Sequence, residues 1–202
     1  MFGTEPNDFL REEAHRIPRG RVLCMGEGEG RNSVFLAELG HEVVGVDQSR
    51  VGLEKAQALA RERGVFVETV VSGIQDFHLG EEEWEGIVSI FFHLPPGLRE
   101  EVHRSVVRGL APGGVLILEA YTPRQLDLGR CGPSNPQKLM TLKMLQEDLR
   151  GLDLILGREV EREFREGTMH RGPGSVVQVV ARRPRGFSHE SDVLGRKPIP
   201  EG

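Results

Sequence analysis

Three glycines at alternate positions, Gly26, Gly28 and Gly30, follow directly on the apolar run Val22-Leu23-Cys24-Met25 and precede Arg31-Asn32-Ser33. Glycine at such places lets the backbone turn sharply and brings main-chain atoms against a ligand with no side chain between. The helix expected next would add free N–H groups and a positive partial charge, suited to a carboxylate. Asp47 ends the next apolar run, Glu42-Val43-Val44-Gly45-Val46, where its carboxylate can accept both hydroxyls of a ribose. Glycine loop and acid therefore converge at the carboxyl edge of one sheet. The combination predicts a nucleoside-containing ligand.

A dinucleotide is disfavoured. Its fingerprint needs a third glycine three positions after the second, and Arg31 stands there. Glu27 and Glu29 inside the loop would also repel a pyrophosphate, whereas Glu27 welcomes a ligand that carries an ammonium.

Reacting groups must lie at the same edge. Ser89-Ile90-Phe91-Phe92-His93-Leu94-Pro95-Pro96 leaves the fourth expected strand there. Phe91 and Phe92 can wall a pocket, and an aromatic face attracts a cation. His93 is either a base or polar anchor at the reacting centre, or a cap for the loop before Pro95. The two prolines match the Asn-Pro-Pro-aromatic motif of amino-directed nucleic-acid methyltransferases poorly, with His93 in place of Asn and Gly97 in place of the aromatic. His170-Arg171, beyond the sixth strand, is either an anchor for an anionic substrate or an exposed hairpin tip. Tyr121, Thr122 and Arg124 after the fifth strand are further candidates of the same kind.

The elements that must position these residues alternate between strand and helix, which predicts an α/β domain with a parallel sheet. Strands are expected at Arg21–Met25, Glu42–Val46, Val65–Val71, Gly86–Phe92 and Val115–Ala120. Helices are expected over Asn32–Leu39 with Gly40 after its end, and from a Ser49 cap to Gly64. A helical stripe of Leu98, Val102 and Val106 ends at a turn, Ala111-Pro112-Gly113-Gly114, and a last helix runs from Thr141 to about Leu149. Glu159–Thr168 and Ser175–Ala181 then read as an antiparallel hairpin turning at Gly172-Pro173-Gly174. An N-terminal helix through about His15 has Pro6 in its first turn.

The run Gly26-x-Gly28-x-Gly30-Arg31-Asn32-Ser33, then Leu36-Ala37, Gly40 and Val46-Asp47, resembles tellurite-resistance-type methyltransferases of the class I superfamily over about residues 2–183. The resemblance implies a Rossmann-like sheet of seven strands, order 3-2-1-4-5-7-6, mostly parallel, with helices on both faces. It implies S-adenosyl-L-methionine as cofactor, no metal, and transfer to a small soft or anionic acceptor such as a chalcogen oxyanion or thiol. Other small metabolites, a protein side chain, and cofactor binding without catalysis are the alternatives. Gly26, Glu27, Gly28, Gly30, Asn32, Asp47, Gln48 and Ser89 are the implied cofactor residues, with His93, His170 and Arg171 at the reacting end. Two positions depart from the pattern. Cys24 replaces an acid at the end of the first strand. Gly73 replaces the Asp that would hold the adenine amino group, which leaves the Ile74 backbone and Gln75 or Asp76. Similar enzymes fold a segment like Phe2–Asn7 over the cofactor as a lid.

Bulk properties agree. The 202 residues carry 38% hydrophobic and 28% charged side chains, fit for one soluble domain. A net charge of −5 argues against a nucleic-acid substrate and for a small molecule. No apolar run reaches the roughly 20 residues of a membrane span, and the N-terminus lacks signal-peptide character, so a cytoplasmic monomer or homodimer is expected. Cys24 and Cys131 fit no metal spacing. Residues 1–183 are read as the domain and 184–202 as a charged tail.

Overall fold

The structure, a computed structural model, describes residues 3–128, 132–166 and 170–186, with the side chains of 165–166 and 170–171 outside that description. Phe2, Cys131, Thr168 and most of the expected tail lie outside it too. One seven-stranded sheet organises the chain: β1 (Arg21–Met25), β2 (Glu42–Asp47), β3 (Val67–Val71), β4 (Trp84–Ile90), β5 (Leu110–Tyr121), β6 (Asp153–Glu166) and β7 (His170–Arg182). Its order is β3-β2-β1-β4-β5-β7-β6, as the resemblance implied. β7 is antiparallel to both neighbours, and the other pairings are parallel.

Alternation along the strands sorts the helices onto two faces. On β1, Val22 and Cys24 point to a core shared with Phe9 and Leu10 of α1 (Asp8–Glu13), Val34 and Leu36 of α2 (Arg31–Glu38) and Leu59 of α3 (Arg50–Glu62). Leu23 and Met25 point the other way, to Val102 and Val106 of α4 (Pro96–Gly109) and Leu145 of α6 (Leu142–Asp148). A short α5 (Gln125–Leu128) lies against β7. Each wholly buried leucine such as Leu23 contributes about 1.5–3 kcal/mol. The expected caps form: Ser49 Oγ accepts from Gly52 N, and Thr141 Oγ1 from Met144 N.

Several boundaries differ from expectation. Asn7 caps α1, so Pro6 precedes the helix and is not in its first turn. β3 begins at Val67, because Phe66 is exposed. β4 stops at Ile90, since Phe91 adopts φ 54° and turns the chain out of the sheet. The turn at Ala111–Gly114 is a bulge within β5: Trp84 pairs with Leu110, and the next pair is Gly86 with Val115. β6 starts at Asp153, not Glu159. β7 starts at His170, so Gly172-Pro173-Gly174 lies within it and pairs with Phe164, Glu163 and Arg162.

Candidate active site

The strand order reverses between β1 and β4, and a crevice opens beyond their carboxyl ends. A cavity of about 640 Å³ fills it. One end is lined by Gly26, Glu27, Gly28 and Glu29 of the loop, Arg31 and Asn32 of α2, Val46, Asp47 and Gln48, and Ser72 to Gln75. The other is lined by Ile90 to Pro95, Leu98, Tyr121, Gly132, Pro133 and Lys138.

Gly26, Gly28 and Gly30 all have positive φ, at 64°, 64° and 96°. Their roles part company there. A Cβ on Gly28 would meet nothing within 4 Å, so it would project into the open cavity. A Cβ on Gly26 would fall 2.3 Å from the Phe92 ring. One on Gly30 would sit 2.6 Å from the Ala56 Cα, so this glycine lets α2 and α3 approach. Gly30 is not in the cavity wall among the described residues.

Asp47 reaches back to the loop. Its Oδ2 accepts from Gly28 N at 2.9 Å and its Oδ1 from Ser49 N at 2.7 Å. Each carboxylate oxygen keeps a second lone pair for a ligand hydroxyl. Glu27 is buried beneath the loop, packed over Gly45 of β2, and Oε1 accepts from Ser33 Oγ. Its Oε2 is buried with no hydrogen-bond partner. Burial above all, and the nearby Asp47, push its pKa up to about 8 against the pull of Ser33, Cys24 and Arg31. Burial and Glu27 likewise raise the Cys24 thiol. The acid missing at position 24 is thus replaced by a carboxyl group from the loop beside it. An uncommitted buried carboxyl oxygen and an open cradle at Gly28 fit a ligand with an ammonium and a ribose.

Asn32 Oδ1 accepts from Asn7 N at 3.0 Å, tying the N-terminal segment to the cavity wall. None of residues 3–16 lines the cavity, and Phe2 of the expected lid is outside the described residues. Gln48, Ile74 and Gln75 line the cavity, with Gln75 Nε2 donating to Asp76 Oδ2 at 2.8 Å. Ser89 does not. It is buried within β4 opposite Met25, because the strand runs on to Ile90 before the cavity mouth.

The positive φ of Phe91 costs about 1–2 kcal/mol. Its ring offsets this by stacking on Tyr121 at 4.8 Å and edging Phe164 at 5.7 Å. That turn delivers Phe92 to Gly26 and His93 to the wall. His93 Nδ1 lies 3.0 Å from the Lys138 carbonyl, which can only accept, so Nδ1 carries the proton. Nε2 then faces Tyr121 N at 3.4 Å. Burial holds the His93 pKa below its ordinary value. Both nitrogens of His93 are thus turned to main chain.

His170 and Arg171 pair through their backbones with Glu166 and Arg165. The last pair between β5 and β7 is Tyr121 with Val176, so the hairpin passes the sheet edge by about 20 Å at 3.3 Å per residue. The side chains of His170 and Arg171 lie outside the described residues. Thr122 bonds Ser175 in the interior at 2.7 Å, and Arg124 pairs with Asp127 and Glu161 in solvent. Sequence reading missed Arg31, Leu98, Pro133 and Lys138. Arg31 had a local signal, a cation at the helix start; the others are delivered only by the three-dimensional path of the chain.

Residues 22–114 match the family described as methyltransferase domain. The 2-heptyl-1-hydroxyquinolin-4(1H)-one methyltransferase of Mycobacteroides abscessus is 35% identical over 105 residues. That stretch is 50% of this chain and 46% of the relative, so the chain spans less than half the length of the curated relative it matches. The fold is shared with an S-adenosylmethionine-dependent methyltransferase of Methanosarcina mazei, at TM-score 0.70 and 18% identity over 89% of this chain and 99% of that one. TehB from Haemophilus influenzae superposes at TM-score 0.71 and 20% identity, covering 86% and 61% of the two chains. The architecture is the Rossmann-like class I methyltransferase fold, and the matched stretch contains the glycine loop, Asp47 and all of β4.

Proposed function

We propose that this chain, which has the class I methyltransferase fold and matches a methyltransferase domain over residues 22–114, transfers a methyl group from S-adenosyl-L-methionine to a small molecule. One observation carries this reading: a single cavity joins the Gly26–Gly28 cradle and Asp47 to an aromatic wall of Phe91, Phe92 and Tyr121. The cofactor supplies a methyl group on a sulfonium that is already a good leaving group. The residues then have to align, shield and charge-match. Gly26, Glu27, Gly28, Asn32, Asp47, Gln48, Ile74 and Gln75 hold it in this reading, Asp47 on the ribose and Glu27 beneath the methionine end. The aromatic wall excludes water and favours positive charge at the methyl.

The acceptor reading starts from the small soft or anionic class that the tellurite-resistance resemblance implied. The aromatic wall favours a flat organic acceptor over a hydrated oxyanion, and the quinolone-methylating relative points the same way. His170 and Arg171 stay acceptor candidates at the hairpin. Residues 1–183 serve as the domain and 184–202 as its tail, in a cytoplasmic monomer or homodimer acting on no nucleic acid. No helix among the described residues is long and apolar enough to cross a membrane.

Release of S-adenosylhomocysteine in a turnover assay with hydroxylated aromatics tests the activity. Calorimetry with S-adenosylhomocysteine tests the site. Absence of binding would remove both the catalytic and the binding-only readings.

A further inference from the structure

The two ends of the cavity differ in their ionisable lining. Glu27, Glu29 and Asp47 line the loop end, with Arg31 as its cation close to Glu27. At the aromatic end the wall holds one cation among the described residues, Lys138, and no carboxylate. Glu29 is held by Lys55 Nζ at 2.6 Å. Lys138 has no ion pair among the described residues.

Lys138 is also held in place. It ends a short 3-10 turn, Pro136–Lys138, whose Asn135 cap accepts from Gln137 N at 3.0 Å. Its carbonyl accepts from His93 Nδ1 at 3.0 Å, and two residues on, Met140 N donates to Tyr121 O at 3.0 Å. His93 stacks on Tyr121 at 5.7 Å, and Tyr121 on Phe91 at 4.8 Å. Burial lowers the His93 pKa most, the bond to the Lys138 carbonyl opposes this, and the nearby Lys138 charge adds a smaller lowering. Lys138, a half-buried residue of the cavity wall, therefore neighbours a ladder of three flat rings.

We infer that Lys138 is the counter-ion for an acceptor that binds as an anion, a deprotonated hydroxyl on a flat ring lying along the aromatic wall. The inference rests on the methyltransferase reading above and names its substrate class. A buried anion without a partner is costly, and an ammonium in a low-dielectric cavity stabilises it more than the same pair in water. The acceptor leaves its proton in bulk water before binding. The oxygen–carbon bond then forms as the carbon–sulfur bond breaks, the bonding pair stays on sulfur, and no proton remains to be moved. That matches a histidine whose nitrogens are both engaged. The products no longer carry the anion that Lys138 held, which favours their release.

4-Nitrophenol is the probe, because its anion is coloured. Its ionisation midpoint is read by absorbance on the full-length protein loaded with S-adenosylhomocysteine. Binding beside Lys138 should lower the midpoint by about 1 pH unit or more. K138R should keep the shift and K138M should lose it, with S-adenosylhomocysteine affinity by calorimetry unchanged in both. No shift at saturating 4-nitrophenol, or an equal shift in K138M, overturns the inference and leaves the cofactor site standing. Failure of the parent protein to bind S-adenosylhomocysteine removes the reading on which it rests.

Discussion

Asp47 Oδ2 accepts the Gly28 N–H at 2.9 Å, so the acid at the end of β2 holds the glycine loop that follows β1. The same carboxylate caps the approach to α3 through Ser49 N. It therefore shapes the cradle as well as offering lone pairs to a ribose. Losing a hydrogen bond to a charged acceptor costs about 1.5–3 kcal/mol. Asp47→Ala should weaken S-adenosylhomocysteine binding by about tenfold to a hundredfold and lower stability in urea. Asp47→Asn, which keeps one acceptor oxygen, should lose less of both. Unchanged affinity in Asp47→Ala by calorimetry would be incompatible with ribose binding at this site.

Gly28 and Gly30 should behave differently although both have positive φ. At Gly28 the strain of a left-handed alanine is about 1–2 kcal/mol and the side chain has room. Gly28→Ala should fold and lose cofactor affinity, and Gly28→Val should abolish it. A Cβ at Gly30 collides with the Ala56 backbone, so Gly30→Ala should cost stability first. Thermal melts and calorimetry on the same preparations separate the two.

What the sequence disclosed about this site follows from locality. Glycine loop, Asp47 and the helix caps are signals within a few residues, and the structure places them as expected. The sequence marks Glu27 as a loop acid suited to an ammonium, and only packing over Gly45 shows it to be buried. Gly172-Pro173-Gly174 reads as a turn, yet past Val176 β7 has a partner on one side only, where a missing N–H breaks no ladder. Gly174 is needed there because a Cβ would fall 1.9 Å from the Phe164 ring. β6 hid its first half because a register shift between Leu154 and Leu156 breaks the alternation.

Glu27 predicts a pH dependence with a definite sign. Its folded pKa of about 8 lies above the ordinary carboxyl value of 4.5, so the folded protein holds a proton that the unfolded chain has lost. Its contribution is complete below pH 4.5, falls as pH rises through the interval, and is gone above 8. At about 1.36 kcal/mol per unit the ceiling is about 5 kcal/mol. Glu27→Gln should flatten the decline between pH 5 and 8 in urea unfolding of the ligand-free protein. A parent protein equally stable at both ends of that range, with Glu27→Gln no different, would refute the assignment.

Glu119 is wholly buried on β5 and fully occupied. Oε2 accepts from Asn7 Nδ2 at 2.6 Å and Arg162 Nη2 at 2.9 Å, and Oε1 from Gln178 Nε2 at 2.7 Å and Arg162 Nε at 3.0 Å. This cluster joins the N-terminal segment to the hairpin. Removing one partner of a buried ion pair costs about 3–5 kcal/mol. Glu119→Ala should lower stability by that amount, and Asn7→Ala, which also loses the α1 cap, by about 1–3 kcal/mol. Equilibrium unfolding of both variants is the check.

His93 is where rate and ionisation part. A histidine base would give a rate that climbs as pH passes its pKa and then levels. Here Nδ1 donates to the Lys138 carbonyl and Nε2 faces the Tyr121 N–H, so neither is free to take a proton. Burial keeps the ring neutral to a pH lower than an ordinary histidine. The rate at saturating acceptor should therefore be flat from pH 6 to 8 for an acceptor that is already ionised throughout. With a less acidic acceptor, kcat/KM should rise with the ionisation of the acceptor itself, and the midpoint should move when the acceptor is changed. His93→Gln, which keeps a donor for the Lys138 carbonyl, should retain most of kcat, whereas His93→Ala should release the Pro136–Lys138 turn and raise KM for the acceptor. A midpoint that stays fixed across acceptors and vanishes in His93→Gln would restore the histidine as the base and remove the anchor role argued from its two main-chain bonds.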